Sequence, residues 1–565
     1  MSNETIRFEA DERPPTLLAL GIGAQFTALA IATVVLPPVI LVSLGGASEA
    51  YLAWAVFAAV IVSGVATIVQ SVRVGRIGAG YILVMGSTSA FLPVSVSALE
   101  ASGPALLATL IVFSSLVQFG LGWKMAELRR IFTPTVAGTV LLLIPVSVAP
   151  IILRKMTDVP EFADPAAAPV TAGVSLLTIV FLALRFEGAP RLWALAIGLV
   201  VGCLIGHYFG IYDVQRIVDA PWIGFPDPAG WPGLDLSFGT AFWALLPGFV
   251  LVTLVGAMDT LGDSIAIQRA SWRETRAIDF RAVQGAINAD GLGNLLSGLG
   301  GTVPNTTYGA SIAITELTGV AARRIGVMTG AMFIVLALLP KLVAAVVAIP
   351  GPVAAAYLAV LVALLAMFGV KILVSEGLDY RKSLIVGMSF WIGLACQFDM
   401  IFPEHMTGFI GELLGNGMTA GGITVILLST LLGLTSPRPR RLRVPLSADS
   451  LSAVDAFFVR FAAGMKSGEE MAHRLRAVGE ETVHSLMDNG AERRLLVVAR
   501  ADGRAAELEF VASAGESNLE DQLALVDVAD MPHETAASLR LLEHYASSVR
   551  HRQYHDTDVV TVRVE

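Results

Sequence analysis

Charge is what this chain has least of. Aspartate, glutamate, lysine and arginine make up 15% of 565 residues, 55% are hydrophobic, and the mean hydropathy is +0.70. A soluble globular protein carries roughly a quarter charged residues, so the composition excludes a soluble enzyme, a secreted domain and a disordered chain. Cysteine is nearly absent too. Cys203 and Cys396 each lie inside an apolar run and offer neither a disulfide framework nor a zinc site. The net charge of −9 comes without the basic block that marks a nucleic-acid footprint, so nucleic acid is not an expected partner. No nucleophile–base pair or metal-ligand cluster can be read along the chain, and no enzymatic activity, cofactor or metal is expected.

The shortage of charge is uneven. Of the 85 charged residues, 37 fall in 437–565, about 29% of that stretch against about 11% of the rest. Two parts facing different solvents follow: a membrane domain over 16–436 and a water-compatible one over 451–565, joined by a basic linker at 437–450. Residues 1–15 are polar, lack a cleavable signal pattern and read as a cytosolic segment.

A helix needs about 20 apolar residues to cross the hydrocarbon core. Clear runs lie at 16–42, 50–70, 104–122, 134–152, 170–186, 192–210, 240–258, 326–348, 353–373, 383–398 and 418–435. Three more, at 78–99, 282–300 and 305–320, are broken by glycine and polar residues, which brings the count to about fourteen spans. Basic residues follow every even span: Arg73 and Arg76; Lys124, Arg129 and Arg130; Arg185 and Arg191; Arg269, Arg273, Arg276 and Arg281; Arg323 and Arg324; Arg381 and Lys382; Arg438, Arg440, Arg441 and Arg443. By the positive-inside rule both termini are then cytoplasmic, in a bacterial inner membrane.

Two of the interrupted segments look alike. Gly78-Ala-Gly-Tyr-Ile-Leu-Val-Met-Gly-Ser-Thr-Ser-Ala-Phe91 joins a β-favouring run at 82–85 to glycine and small hydroxyl residues. Gly298-Leu-Gly-Gly-Thr-Val-Pro-Asn-Thr-Thr-Tyr-Gly-Ala-Ser311 carries Pro304, which forbids a regular helix, followed by Asn305, Thr306 and Thr307 as candidate N-caps and then Tyr308. They fall in spans 3 and 10, seven apart. Seven is odd, so the two halves enter the membrane with opposite polarity, as in an inverted repeat whose broken helices meet near the midplane. The expected fold is an all-α polytopic membrane protein of two inverted seven-span repeats with short strands in spans 3 and 10, plus a small cytosolic α/β domain.

Acids within the spans are few and costly unless paired or facing water. Asp259 and Asp263, at i and i+4, share one face toward the end of span 8; Asp290 lies in span 9; Glu316 sits near the cytoplasmic end of span 10. Asp259, the deepest, is the first choice for accepting a substrate N–H and for carrying a proton. Asp263 reads as a helix-terminus or packing partner, and Asp290 as an interhelical tie. His207 and His405 are given no role.

At these residues the chain resembles the nucleobase/ascorbate transporter family, the xanthine/uracil permeases, over roughly 16–436. Phe132-Thr-Pro-Thr-Val-Ala-Gly-Thr-Val-Leu-Leu-Leu-Ile144 is similar to its Pro-x-Val-x-Gly-x-Val segment, Asp259-Thr-Leu-Gly-Asp263 to its Glu-x-x-Gly-Asp, Asn288-Ala-Asp-Gly-Leu-Gly-Asn294 to its Asp-Gly-Leu segment, and Pro304-Asn-Thr-Thr-Tyr-Gly309 to the loop opening span 10. The resemblance implies fourteen spans divided into a core and a gate, a homodimer, and uptake of a purine or pyrimidine base such as xanthine, urate or uracil. The coupling ion it implies is a proton, with sodium the alternative. Asp259 then matches the carboxylate that binds the base, and the backbone at Ser87, Thr88, Ser89, Ala90, Ala310 and Ser311 would face it from the two half-helix ends. Three positions depart from the family: Asp259 for its Glu, Gln25-Phe26 for its Gln-His pair, and Ala310-Ser311-Ile312-Ala313 where the base-reading side chain of span 10 belongs. An anion transporter of the sulfate-permease kind and a transporter-like sensor are the alternative readings.

In the tail, 451–488 reads as one or two amphipathic helices, 494–500 and 506–512 as strands around a turn at Ala501-Asp-Gly503, 534–549 as a helix and 558–564 as a closing strand. The order resembles the histidine-kinase-type ATPase domains of anti-sigma regulators, but Ser485 replaces their helix Asn in Glu480-Glu-Thr-Val-His-Ser485 and no Asp-x-Gly-x-Gly loop follows. A degenerate domain that regulates the transporter, assembles it, or meets a cytosolic regulatory partner is the expectation. A sulfate-transporter-like regulatory domain is the rival.

Overall fold

The structure, a computed structural model, describes residues 6–123, 133–274, 276–375, 377, 379–405, 407–435, 439–465, 469–487, 493–502, 505–513, 519 and 540–565. Lys124, Arg129, Arg130, Phe132, Arg438, Gly503 and 534–539 therefore lie outside the described residues. The chain divides into two units, Met1–Arg273 with Ala282–Leu431, and Glu274–Arg281 with Leu432–Glu565.

Apolar composition makes the first unit helical. Its helices of eight residues or more are α1 (Thr16–Leu44), α2 (Glu49–Val72), α3 (Leu92–Ser102), α4 (Pro104–Trp123), α5 (Pro134–Met156), α6 (Ala167–Arg185), α7 (Ala194–Tyr208), α8 (Thr240–Arg269), α9 (Phe280–Gly300), α10 (Ala310–Thr318), α11 (Arg323–Ala337), α12 (Pro340–Val347), α13 (Gly351–Ser375), α14 (Tyr380–Gln397) and α15 (Gly417–Thr435). Among the described residues eight helices are long and apolar enough to cross a membrane, nine if a bent pair counts as one span. They pack in two sets. In one, α2 lies on α11, α1 on both, and α4 on α3 and α8; in the other, α5 lies on α13 and α14, and α6 on α7 and α13.

Spans 3 and 10 are broken by strands β1 (Met85–Ser87) and β2 (Asn305–Thr307), which pair antiparallel with Met85 opposite Thr307 and Ser87 opposite Asn305. Strand β1 begins where the β-favouring run ends. Extended backbone survives in a bilayer only where protein satisfies it, and here it does. The Met85 N–H donates to Thr67 Oγ1 (2.9 Å), Thr88 N–H to Pro304 O (3.0 Å) and Tyr308 N–H to Val84 O (2.9 Å). Asn305, Thr306 and Thr307 thus form a strand rather than N-caps; α10 is capped by Gly309.

Two segments depart from the sequence reading. Span 9 (282–300), expected to be interrupted, is one continuous helix, α9. Its glycines serve close approach: a Cβ on Gly298 would come 2.8 Å from Val112 N and 3.0 Å from Ala108 O. The run 326–348, expected to be unbroken, is two helices, α11 and α12, bent by 86°. Pro340 supplies the cause, since it donates no hydrogen bond and bars the preceding residue from the helical region; Leu339 sits at φ −113°, ψ 78°.

The second unit is a five-stranded antiparallel sheet of β3 (Arg440–Leu446), β4 (Arg493–Asp502), β5 (Ala505–Ser513), β6 (Ser548–Gln553) and β7 (Thr557–Val564), in the order β3-β4-β5-β7-β6. Helices α16 (Leu451–Met465) and α17 (Glu469–Leu486) contribute Phe457, Phe458, Phe461, Leu475 and Val478 to a core shared with Leu495, Val497, Leu508, Phe510, Val560 and Val562. Residues 440–446, expected to be linker, are the edge strand; of the helix expected over 534–549, residues 540–545 are helical and 548 and 549 open β6 instead. Inside this unit the buried Arg493 guanidinium donates to Asp558 Oδ2 (3.0 Å) and to the carbonyls of Leu486 and Ser513. His551, buried beside it, accepts the Leu519 N–H on Nδ1 (2.9 Å). Burial, and then the Arg493 charge, push its imidazole down to about 4.

Two measurements follow. The approach of α2 to α11 runs through Gly64 and Gly330, where a Cβ on Gly64 would lie 2.7 Å from the Gly330 carbonyl. Gly330→Val should lower stability by about 1–3 kcal/mol in a thermal melt, whereas Gly433→Ala, with open space around it, should not. His551 is neutral in the fold and has an ordinary pKa of about 6.5 when unfolded, so the fold loses stability as pH falls from about 6.5 toward about 4. Amide protection across β7, taken relative to the intrinsic exchange rate at each pH, should fall over that window, and His551→Gln should flatten the dependence.

Candidate functional site

Helix α8 brings the two acids of its Asp-x-x-x-Asp pair against both broken spans, packing on β2, on α10, on α3 and on the turn at Ser89–Phe91 that precedes α3. It continues to Arg269, so Asp259 and Asp263 lie within the helix rather than at its end. The Thr307 hydroxyl donates to Asp263 Oδ2 (2.8 Å), and Asp263 Oδ1 lies 3.4 Å from where a Cβ on Gly309 would sit. Asp259 is half-buried and makes no hydrogen bond or ion pair among the described residues.

Behind this pair runs a closed circuit of hydrogen bonds. Thr260 Oγ1, 3.4 Å from the Thr307 hydroxyl, donates to Asp290 Oδ2 (3.0 Å). Gln118 Nε2 of α4 donates to the same oxygen (2.6 Å) and its Oε1 accepts from Asn294 Nδ2 (2.8 Å). Asn294 Oδ1 in turn accepts the backbone N–H of Asn305 (2.6 Å), two residues from Thr307 where the circuit began. Asp290 is fully buried and Gln118 is too. Buried polar groups at this depth stabilise only when partnered, and the circuit fixes β2 to α4, α8 and α9 at once.

Several other expected residues bond within the scaffold. Ser87 is buried, and its carbonyl accepts from the Tyr308 hydroxyl (2.9 Å). Thr88 Oγ1 accepts from Ala90 N–H (3.2 Å), capping the Ser89 turn. Ser311 is buried, with its hydroxyl accepting the Val84 N–H (3.0 Å), so its side chain anchors the approach to β1. Ala310, the first residue of α10, is exposed. On α1, which packs against β1, Gln25 is half-buried while Phe26 is a core residue. Thr306 is buried, and Glu316 is exposed.

Reading the sequence alone passes over Gln118, Thr260 and Asn294. It also passes over Thr67 and Gln70 of α2, which hold the chain just before β1: Gln70 Oε1 accepts from Ala79 N–H (3.1 Å), and Gln70 N–H₂ donates to Ala286 O (3.0 Å). A signal exists, since an amide deep inside an apolar run is costly unless it bonds.

A permease family model, that of the xanthine and uracil permeases, matches residues 18–401, which span both strands, all three aspartates and Gln118. The chain belongs to this permease family. Its relatives include a putative purine permease of Clostridium perfringens, 28% identical over 71% of this chain and 86% of its own length. The xanthine permease XanQ of Escherichia coli is 29% identical over 75% of this chain and 93% of its own, and the nucleobase transporter PlUacP of Paenibacillus larvae is 25% identical over 73% and 94%. Among solved structures, the transmembrane domain of the cyanobacterial bicarbonate transporter BicA matches at 18% identity and a TM-score of 0.44, covering 75% of this permease and 99% of that chain. SLC26A9 matches at 13% identity and 0.48, covering 76% and 67%. The permease is a multi-pass membrane transporter and not an enzyme. The family match ends before β3, so Leu432–Glu565 of the second unit lies beyond it.

Removing the amide at the centre of the circuit tests its weight. Gln118→Leu removes one hydrogen bond each from Asp290 and Asn294 and should cost on the order of 3 kcal/mol, read as a lower midpoint of thermal unfolding in detergent. Gln215→Leu, on an exposed segment, should leave the midpoint where it was.

Proposed function

We propose that this permease imports a nucleobase, a purine or pyrimidine such as xanthine, urate or uracil, by proton-coupled alternating access. One observation carries the reading: among the described residues Asp259 keeps an unbonded carboxyl on a helix packed against the starts of both half-helices, while its neighbour Asp263 is engaged by Thr307. A carboxylate accepts two N–H donors of a planar base in one plane, and the positive N-terminal end of α10 would face the same ligand. The names of the relatives, purine, xanthine and nucleobase transporters, point the same way.

In this reading Asp259 binds the base and takes up the coupling proton, and Ala310 leaves room where a polar side chain would otherwise narrow the choice of base. The set of helices around α1, α2, α8 and α11 carries the base past the set around α5 and α13. A homodimer in a bacterial inner membrane, with both termini cytoplasmic and the C-terminal unit regulating or assembling it, completes the proposal.

The test is a thermal-shift panel on detergent-purified protein with uracil, xanthine, hypoxanthine, urate, sulfate and bicarbonate, run beside Asp259→Asn. A ligand that binds only the folded state raises the midpoint by mass action. One base should raise it, and the variant should weaken that base by about 10- to 150-fold, the worth of a charged hydrogen bond of about 1.5–3 kcal/mol. Silence from every base beside a shift with an anion would overturn the proposal.

A further inference from the structure

Residues 6–12 lie outside every helix of the first unit, yet they are among its most heavily bonded. Phe8 pairs in a parallel bridge with Val320: the Arg7 and Phe8 N–H groups donate to Gly319 O (2.6 and 3.1 Å), and Ala321 N–H donates to Phe8 O (2.8 Å). This holds the segment to the end of α10, whose cap Gly319 is left-handed (φ +67°). Arg323, opening α11, donates its backbone N–H to Ala10 O (3.0 Å), pairs with Asp11 (2.9 Å) and donates Nε to Gly80 O (2.5 Å). Arg273, just past α8, donates Nε to Ile6 O (3.0 Å) and Nη2 to Arg7 O (2.8 Å). It grips Glu12 through both Nη atoms (2.9 and 2.8 Å), and its backbone N–H donates to Glu9 Oε1 (3.0 Å).

Packing agrees with the bonding. Ile6 and Ala10 are buried at 3% and 1% exposure. Ala10 completes a small apolar cluster with Ala79, Tyr81 and Leu83 before β1, Ile267 of α8, and Ala282 and Ala286 of α9; Trp272 and Ile312 lie against it. Trp272 Nε1 donates to the Tyr81 hydroxyl (3.2 Å). The side-chain hydrogen bond from Arg273 holds the Glu12 carboxyl below the usual carboxylate range, so the pair stays charged at neutral pH.

One short segment therefore touches one end of each element that carries β1, β2 or Asp259. We propose that residues 6–12 are a permanent clasp, with Arg273 and Arg323 as positioning residues that keep the segments bearing β1, β2 and Asp259 in one geometry throughout transport. A bidentate guanidinium–carboxylate pair and strand-type bonds at the Phe8 crossing fix direction as well as distance. The significance of the clasp rests on the placement of substrate proposed above, but the measurement that follows does not, so either can fail alone.

The full chain in lipid nanodiscs, read by amide hydrogen exchange without added substrate, tests it. Glu12→Arg sets two cations against each other and should raise exchange at 81–87 and at Asn305–Thr307 by about tenfold or more. Helix α6, which packs in the other set of helices, should keep its wild-type rate. In a background of Cys203→Ser and Cys396→Ser, adding Phe8→Cys and Val320→Cys to Glu12→Arg and oxidising the new pair should return exchange to the wild-type rate, and reductant should release it. Unchanged exchange in Glu12→Arg overturns the proposal. So does a rise shared by α6, or a disulfide that forms without restoring protection.

Discussion

The structure depends on satisfying two three-residue strands in a medium that offers no water. Each backbone N–H and C=O left open in hydrocarbon costs several kcal/mol, and β1 and β2 expose more of them than their mutual pairing can absorb. The surrounding helices answer with hydroxyls and amides: Thr67 and Gln70 from α2, Asn294 from α9, Ser311 from α10 and Tyr308 across the pair. Once those side chains are in place, the half-helices can begin only where the strands end, and α8 can only pack against both beginnings. The position of Asp259 follows from backbone hydrogen bonding several residues away.

Gln118 concentrates this dependence. Its amide gives a proton to Asp290 and takes one from Asn294, so a single side chain on α4 orients partners at two levels of α9. The bonding pattern also fixes which end of the amide is which, and neither a carboxylate nor an alkyl group could serve both neighbours. Gln118 and Thr260 thus hold Asp290 Oδ2 in the scaffold, and Thr307 holds Asp263.

Much of this is legible in the amino acids themselves. Glycine, proline and small hydroxyl residues at 86–89 and 304–309 announce the broken spans. What misleads is the double use of glycine. In α9 it permits close contact, which reads the same along a sequence as a break. Pro340 hides for the converse reason, since Leu338 and Leu339 before it and the apolar residues of α12 after Lys341 keep the average hydropathy high. At 440–446 the arginines suggest a linker, while the alternation of Leu442, Val444 and Leu446 between them is that of a strand whose charged face suits a sheet edge. Ser63, Thr67 and Gln70 recur at helical spacing on α2, a polar stripe that no lipid-facing helix would carry, and it marks the support of β1.

The bend between α11 and α12 has a consequence for the lipid. Helix α11 has 15 residues, a rise of about 22 Å, while the hydrocarbon slab is about 30 Å thick. A helix turned through 86° adds almost no height, so this part of the protein is shorter than the bilayer it stands in. Acyl chains beside it must compress, or be kept away by longer neighbours. Membrane thickness thus becomes a variable to which this part of the transporter is mechanically exposed.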